Sequence, residues 1–240
     1  MPAPNAFWNR KTTPLFPFAL FGGLSFACCQ YLIYCYAPTE AVMGLMQKIF
    51  YLHLPLAWWA LFSFFVVFLG SVLCLFKRAP RADSLCAAAA EVGVLLSGLA
   101  LLTGMVWARK SWGVWWTWDP RLTTTLIMWF VYAGYLVLRG LDLPEGRKTR
   151  MCAVVGVVAF LDVPLVFISA RIWRSIHPAV FTSKEGGLEP EMKLTVMACL
   201  LCFGFLWAAV VWLRKRQIDS LAALDRLART GATAFDATKE

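Results

Sequence analysis

The most distinctive stretch of the chain is 111–122, which reads SWGVWWTWDPRL and holds four tryptophans and one carboxylate. Tryptophan offers a large flat π surface and a single N–H donor. The stretch lies between two long apolar segments, and such a cluster is poorly suited to face lipid. Several tryptophans gathered at one place favour a flat, mostly apolar ligand with a polar edge, and haem is such a ligand.

The chain has only two histidines, His53 and His177, and both are candidate iron ligands. Neutral imidazole is a common ligand of haem iron. Two plainer interpretations stay open at this point. One is that His53 is a polar residue beside an interfacial aromatic belt. The other is that His177 is an exposed loop histidine.

Six apolar segments must position these residues. The chain is 60% hydrophobic with a mean hydropathy of +0.65, and its apolar residues concentrate in 15–36, 54–76, 85–107, 122–138, 151–172 and 194–213. A spanning helix needs about 20 apolar residues, and backbone groups in lipid must be bonded within the segment. We therefore predict an all-α membrane protein, a single domain over 1–240 with six transmembrane helices.

The charge pattern predicts the topology. Of the 23 lysines and arginines, 15 fall on the side of the membrane that holds the N-terminus. The positive-inside rule then places both termini in the cytoplasm, with 214–240 as a cytoplasmic tail. The net charge of +9 thus reflects topology and attraction to anionic lipid, and nucleic acid is not expected as a partner. No Walker-type loop or Ser/His/Asp set is present, so we do not expect an enzyme.

With this topology, three segments face outward, at about 37–53, 108–121 and 173–193. Both histidines and the tryptophans then lie on one side of the membrane. If 111–122 is helical, Trp112, Trp115, Trp116 and Asp119 share one face. Asp119 before Pro120 is also the expected N-cap and first residue of the fourth helix. Asp119 therefore has a structural interpretation beside the ligand-binding one.

The two propionates of haem would need cationic partners on the outer side. Arginine suits this role because its planar fork binds a carboxylate with two hydrogen bonds. Arg121 closes the tryptophan segment and is the first candidate, with Arg171 and Arg174 next because they precede His177. Two acids inside the spans, Glu91 and Asp162, fit either a proton path or a buried bond to a neighbouring helix.

The segment 112–123, with the run Tyr51-Leu52-His53-Leu54-Pro55 and one later histidine, resembles the WWD signature of haem-handling proteins of cytochrome c biogenesis. Length and six spans match the CcmC type best. The resemblance implies that His53 and His177 ligate the iron. It also implies that Trp112, Trp115, Trp116, Trp118 and Asp119 border non-covalently bound haem b.

The resemblance further implies a place and partners. CcmC-like proteins lie in the bacterial inner membrane and hold haem at the periplasmic face. They pass it to the haem chaperone CcmE, while CcmA and CcmB form the ATPase complex and the small protein CcmD assists. The sequence departs from the family pattern locally: Arg174 follows Trp173, Pro178 follows His177, and Pro120 follows Asp119.

Other functions remain as alternatives. A membrane cytochrome b subunit in quinone-linked electron transfer is the main one, although such subunits place histidine pairs inside helices. A transporter that carries haem through its own core, or a WWD protein of another biogenesis pathway, is also open. The absence of a C-x-x-C-H motif predicts that haem is held without covalent bonds.

Overall fold

The computed structural model of the protein describes residues 15–41, 43–77, 80–173, 175–177 and 188–236. The α-helices found there are α1 (Leu15–Tyr31), α2 (Phe50–Lys77), α3 (Pro80–Trp112), α4 (Pro120–Gly140), α5 (Glu145–Ala159), α6 (Asp162–Ile172) and α7 (Pro190–Asp236). A π-helical turn, Leu32–Tyr36, extends α1, and a 3-10 turn, Leu45–Ile49, leads into α2. Within these residues no strand forms beyond one isolated bridge between Glu40 and Gly44.

The predicted fold class is confirmed: six helices of the described chain are long and apolar enough to cross a membrane. The fifth crossing is divided into α5 and α6 by a break at Phe160 and Leu161. Pro164 lies in the first turn of α6, where its missing N–H costs little. The last helix is longer than its predicted span, since α7 continues through most of 214–240 to Asp236.

The interior is built around α2, which packs against α3, α5 and α7. Phe64 of α2 stacks on Tyr132 of α4 with ring centroids 3.6 Å apart. Trp207 of α7 donates its indole N–H to Ser63 Oγ at 2.7 Å. Such internal bonding is required because lipid offers no partner to a polar group.

One end of the bundle carries both histidines, and we call it the histidine end. The start of α2, the end of α3, the start of α4, the end of α6 and the start of α7 meet there. At the opposite end, Arg139 of α4 bonds Asp83 of α3 with N–O distances of 2.9 and 3.0 Å. These ends come together because consecutive spanning helices run in opposite directions.

The acids inside the spans differ in their surroundings. Glu91 of α3 is paired with Arg214 of α7, with N–O distances of 2.5 and 3.0 Å. Of the two interpretations of Glu91, this contact fits the bond to a neighbouring helix. Asp162 has one buried carboxylate oxygen without a hydrogen-bond partner.

The cysteines are all free, and six of the eight are buried. Cys29 of α1 packs with Cys199 and Cys202 of α7 in one apolar cluster. A free cysteine in such surroundings behaves as a small apolar residue. The C-x-x-C pair at 199 and 202 therefore contributes to helix packing.

Candidate functional site

The two histidines come together although they belong to different elements. His53 lies in the second turn of α2, not in a loop, and His177 follows α6 in the segment 175–177. Their ring centroids are 6.3 Å apart and their planes are inclined by 33°. The structure thus brings the chain's only two imidazoles into one site at the histidine end.

His53 is held by α3. Its Nδ1 lies 3.1 Å from Thr103 Oγ1. A side chain on Gly104 would approach His53 Cε1 to 3.2 Å, so glycine leaves the room that the ring needs. The helix-borne histidine is therefore fixed by a neighbouring helix on its Nδ1 side.

The Thr103 contact fits a proton on His53 Nδ1. The Thr103 hydroxyl lies 2.8 Å from Leu99 O of its own helix. When it donates there, its oxygen is an acceptor for His53 Nδ1–H. In that tautomer the lone pair is on Nε2, which is the arrangement that an outer-shell bond gives to a metal-binding histidine.

His177 is positioned by Asp119, which is buried. Asp119 Oδ1 accepts the Ser175 hydroxyl at 2.8 Å, and Oδ2 accepts the Ile176 N–H at 2.8 Å. Oδ1 also accepts the Arg121 N–H at 2.9 Å, which is the N-cap bond predicted for α4. Both carboxylate oxygens are thus used to join the histidine segment to the start of α4. This geometry lets Asp119 position the segment that carries His177.

Arg121 contacts His177 directly. Its Nη1 lies 3.2 Å from His177 Nδ1. Arginine has donors and no acceptor, so His177 Nδ1 must be the acceptor. Arg121 thus adjoins the Nδ1 side of the His177 ring.

Beyond Trp112 the tryptophan segment is not helical, so the condition under which its residues would share one face is not met. Gly113 ends α3 in a left-handed conformation with φ of 75°, which favours glycine. The chain is then irregular until Asp119 caps α4. Arg109 of α3 donates to Gly113 O and lies over the Trp115 ring, 6.0 Å from its centroid. The helix therefore turns into a loop that α3 supports.

The tryptophans form two edge-on pairs, and two of the tryptophans are exposed. Trp112 packs edge-on against Trp107, with centroids 5.8 Å apart. Trp116 packs edge-on against Trp118 at 5.9 Å. Trp115 and Trp118 are 55% and 76% exposed. The latter two thus present large aromatic surfaces outside the protein interior.

Unsatisfied buried polar atoms gather in this region. In the part of the chain that the structure describes, buried side-chain atoms without a partner include Trp107 Nε1, Trp116 Nε1, Thr117 Oγ1, Arg121 Nε and Thr123 Oγ1. Leaving one buried polar group unpaired costs about 1–3 kcal/mol. These groups within 107–123 would fit the polar edge of a ligand.

The remaining predicted residues are less closely placed. Arg171 is exposed near the end of α6, and Arg174 lies outside the described residues. Sequence reasoning missed two hydroxyl residues, Thr103 and Ser175. Thr103 contacts the His53 ring, and Ser175 Oγ accepts the backbone N–H of His177. The one local signal for Thr103 was that a threonine in a helix can bond the carbonyl four residues earlier. Threonines in helices commonly do so.

Comparison with known proteins supports the resemblance in the sequence. The family model described as CcmC, Heme exporter protein C, matches residues 1–227. The chain belongs to the CcmC family. Heme exporter protein C of Bradyrhizobium diazoefficiens is 34% identical over 170 residues, which are 70% of this chain and 64% of that relative. The match thus spans slightly less than two thirds of that relative's length.

Other CcmC relatives align over more of their length. Heme exporter protein C of Haemophilus influenzae is 28% identical over 203 residues, covering 85% of this chain and 81% of the relative. Heme exporter protein C of Escherichia coli K12 is 26% identical over 183 residues, covering 76% and 74%. The expected family is thereby confirmed, with six spanning-capable helices in the same chain.

Proposed function

We propose that this chain binds haem b without covalent bonds between His53 and His177 and delivers it to the haem chaperone CcmE during cytochrome c maturation. The observation that carries the proposal is the 6.3 Å separation of the two imidazole centroids. The proposed place is the periplasmic face of the bacterial inner membrane, with both termini in the cytoplasm. The excess of cations on the terminal side supports that orientation.

The histidine pair fits iron ligation. Metal–imidazole nitrogen bonds are about 2 Å long, so two imidazoles that bind one metal from opposite sides have centroids roughly 6 Å apart. The measured separation agrees with this value. Thr103 Oγ1 lies beside His53 Nδ1, which leaves Nε2 as the nitrogen for iron. His53 and His177 would hold the haem, whose iron would supply a Lewis acid for their imidazole nitrogens.

The orphaned donors fit the polar edge of the same ligand. Arg121 Nε and Trp116 Nε1 are buried donors without partners, and two carboxylates would be suitable acceptors. Arg121 is the first candidate for a propionate because it adjoins His177. Arg171 is the weaker candidate because it is exposed.

The proposed delivery uses the exposed tryptophans. Trp115 and Trp118 present aromatic surface beside the histidine pair, and tryptophan is enriched at residues that dominate binding energy in protein interfaces. We assign these two residues to contact with CcmE and with the haem edge. CcmA and CcmB as the ATPase complex, and CcmD as an accessory subunit, are proposed from the resemblance alone.

The histidine count argues against the electron-transfer alternative. A subunit that moves electrons between two bis-histidine haems across the membrane needs four histidines, and the chain has two. Both are at one end of the bundle. The proposed role is binding and transfer of haem, without turnover chemistry.

The decisive experiment is an absorbance spectrum of the detergent-purified chain with and without dithionite. We expect a six-coordinate low-spin haem spectrum and complete extraction of the pigment by acid–acetone. The His53→Ala, His177→Ala double variant should lose the spectrum, and added imidazole should partly restore it by replacing the missing ligands. A Soret band that survives extraction, or a haem-free protein from haem-replete cells, would contradict the proposal.

A further inference from the structure

We propose that the surface of α5 and α6 around Asp162 is the docking site for a transmembrane helix of another protein, and that a lysine or arginine near the middle of that helix pairs with the Asp162 carboxylate. The inference concerns a side of the bundle that the proposed haem site does not use. It names an interaction surface and the charge of the partner that fits it.

Asp162 lies within the part of the fifth crossing that lipid surrounds. It begins α6, which is 11 residues long, so about 15 Å of helix separates it from the end of the crossing at about 1.5 Å per residue. On its other side α5 contributes 15 residues, or about 22 Å. The hydrocarbon core of a bilayer is about 30 Å thick, so neither membrane surface is near. Ionisable groups at such depth are rare and are usually paired or functional.

Asp162 lacks the kind of partner that two other acids of the bundle have. Glu91 of α3 is paired with Arg214 of α7, and Asp83 of α3 is paired with Arg139 of α4. Both pairs join neighbouring helices. In the part of the chain that the structure describes, Asp162 Oδ2 is buried and makes no hydrogen bond. This acid is therefore left incomplete where the other two are satisfied by arginine.

Tyr132 of α4 does not complete the carboxylate. Asp162 and Tyr132 interact electrostatically, yet the Tyr132 hydroxyl is itself buried without a hydrogen-bond partner among the described residues. The Tyr132 ring stacks on Phe64 with centroids 3.6 Å apart, which holds its hydroxyl in place. Unpaired buried polar groups cost stability. A donor brought from outside the chain to Asp162 would remove part of that cost.

The surface beside Asp162 has the spacing of a helix-packing seam. Apolar side chains that are exposed at alternating steps of three and four residues follow the whole fifth crossing: Met151, Val154, Val158, Leu161, Leu165, Ile168 and Ile172. Any helix that faces lipid shows such a stripe, so the stripe alone indicates no partner. Asp162 directly follows Leu161 and is half-buried. In a paired helix this is the flanking position where charged side chains meet across the seam and select the partner.

Charge complementarity determines the kind of partner. Lipid offers no donor to a carboxylate, and the cations of lipid headgroups lie too far away at this depth. A lysine or arginine on an adjacent membrane helix can reach Asp162 and form a charge-assisted hydrogen bond, which is stronger than a bond between neutral groups. The two resolved acid pairs already use this solution between helices of the same chain.

The test uses the full chain in phosphatidylcholine vesicles and a defined probe. The probe is a biotinylated, leucine-rich transmembrane peptide with one lysine at its centre, and the matched peptide has leucine there. A photoreactive benzoylphenylalanine in place of Leu165, on the exposed stripe, captures whichever helix lies beside it. We expect the lysine peptide to associate about five- to thirtyfold more tightly than the leucine peptide, the usual gain from one polar bond between membrane helices.

The lysine preference should disappear in Asp162→Asn, which keeps the size of the side chain, and return in Asp162→Glu. Asp162→Lys should instead prefer a peptide with a central glutamate. Benzoylphenylalanine in place of Phe130, which is 60% exposed on α4, gives the background and should capture both peptides equally. Far-UV circular dichroism and gel filtration check that each variant is folded.

Two results would overturn the proposal. One is equal capture of the lysine and leucine peptides by the parent chain, which needs no Asp162 variant. The other is a lysine preference that persists in folded Asp162→Asn. Neither reading depends on haem, so failure of the docking site is distinguishable from failure of the proposed function.

Discussion

His53 and His177 are supported in two different ways, although they meet at one point. His53 lies on a long helix and needs one neighbour, Thr103, to orient its ring. His177 lies on an irregular segment and depends on two side chains at the start of α4, Asp119 and Arg121. Helix packing fixes the position of a histidine on a helix, whereas a histidine on an irregular segment must be held by specific polar bonds. The loop-borne ligand is therefore the one whose position other groups can control.

The largest effect is expected from His53→Ala. Helix packing holds the His53 ring in place, so its loss should lower haem affinity by more than the about 10–100-fold typical of losing an outer-shell partner. His177→Ala should cost less and leave a five-coordinate complex with His53. Haem titration of each purified variant measures both values. A larger loss in His177→Ala would reverse the order that the comparison predicts.

A smaller effect, confined to His177, is expected from Asp119→Asn. Asparagine caps a helix as well as aspartate does, so α4 should keep its N-cap bond. The new amide, however, places a donor where Asp119 Oδ2 accepts the Ile176 N–H. We expect an about 10–100-fold loss of haem affinity, with the ¹⁵N signals of His177 shifted.

The signals of His53 should remain unchanged in Asp119→Asn. Asp142→Asn, at an exposed residue after α4, is the matched control and should behave like the parent protein. If Asp119→Asn binds haem normally, the carboxylate does not position His177.

The next effect concerns His53, the histidine that lies on a helix. Thr103→Val keeps the shape of the side chain and removes the acceptor for His53 Nδ1–H. Packing of the ring against Gly104 remains, so we expect only about a tenfold loss of affinity, at the low end for outer-shell partners. Haem titration with ¹⁵N spectra measures it.

Thr195→Val is the control for Thr103→Val, because Thr195 also bonds its own helix, to Glu191 O at 2.8 Å. Thr103→Ser should restore parental affinity. An equal loss in the two valine variants would mean that the effect arises from helix destabilisation, and not from His53.

The smallest effect on the protein itself is expected from Trp115→Ala and Trp118→Ala. Both side chains are largely exposed, so membrane protein levels should stay near normal. The amount of haem-loaded CcmE should fall, because these residues are assigned to contact with the chaperone. Trp116→Ala, at a half-buried position, should reduce both. Immunoblots of the chain with haem staining of CcmE give the two readings, and loss of the protein in the exposed variants would favour a plain membrane-anchor role.

The spanning helices could be predicted because hydropathy depends on local composition. The N-cap role of Asp119 was likewise readable from Asp119-Pro120. The sequence left the shape of the tryptophan segment open, since a shared face depended on the stretch being helical. Gly113 was an available signal for a helix end at that point.

The polar bonds of the site could not be predicted in the same way. Thr103 with His53, and Asp119 with Ser175, join residues far apart in the sequence. Such contacts depend on how helices pack, and no local pattern encodes that.

The length of α7 has a practical consequence. Its 47 residues measure about 70 Å at about 1.5 Å per residue, against about 30 Å for the hydrocarbon core of a bilayer. Its first turns pack beside Tyr51 near the histidine end through Met192 and Val196, so its last turns stand well clear of the lipid on the far side. A fluorescent protein or purification handle joined at that distant tip would leave the imidazole pair undisturbed.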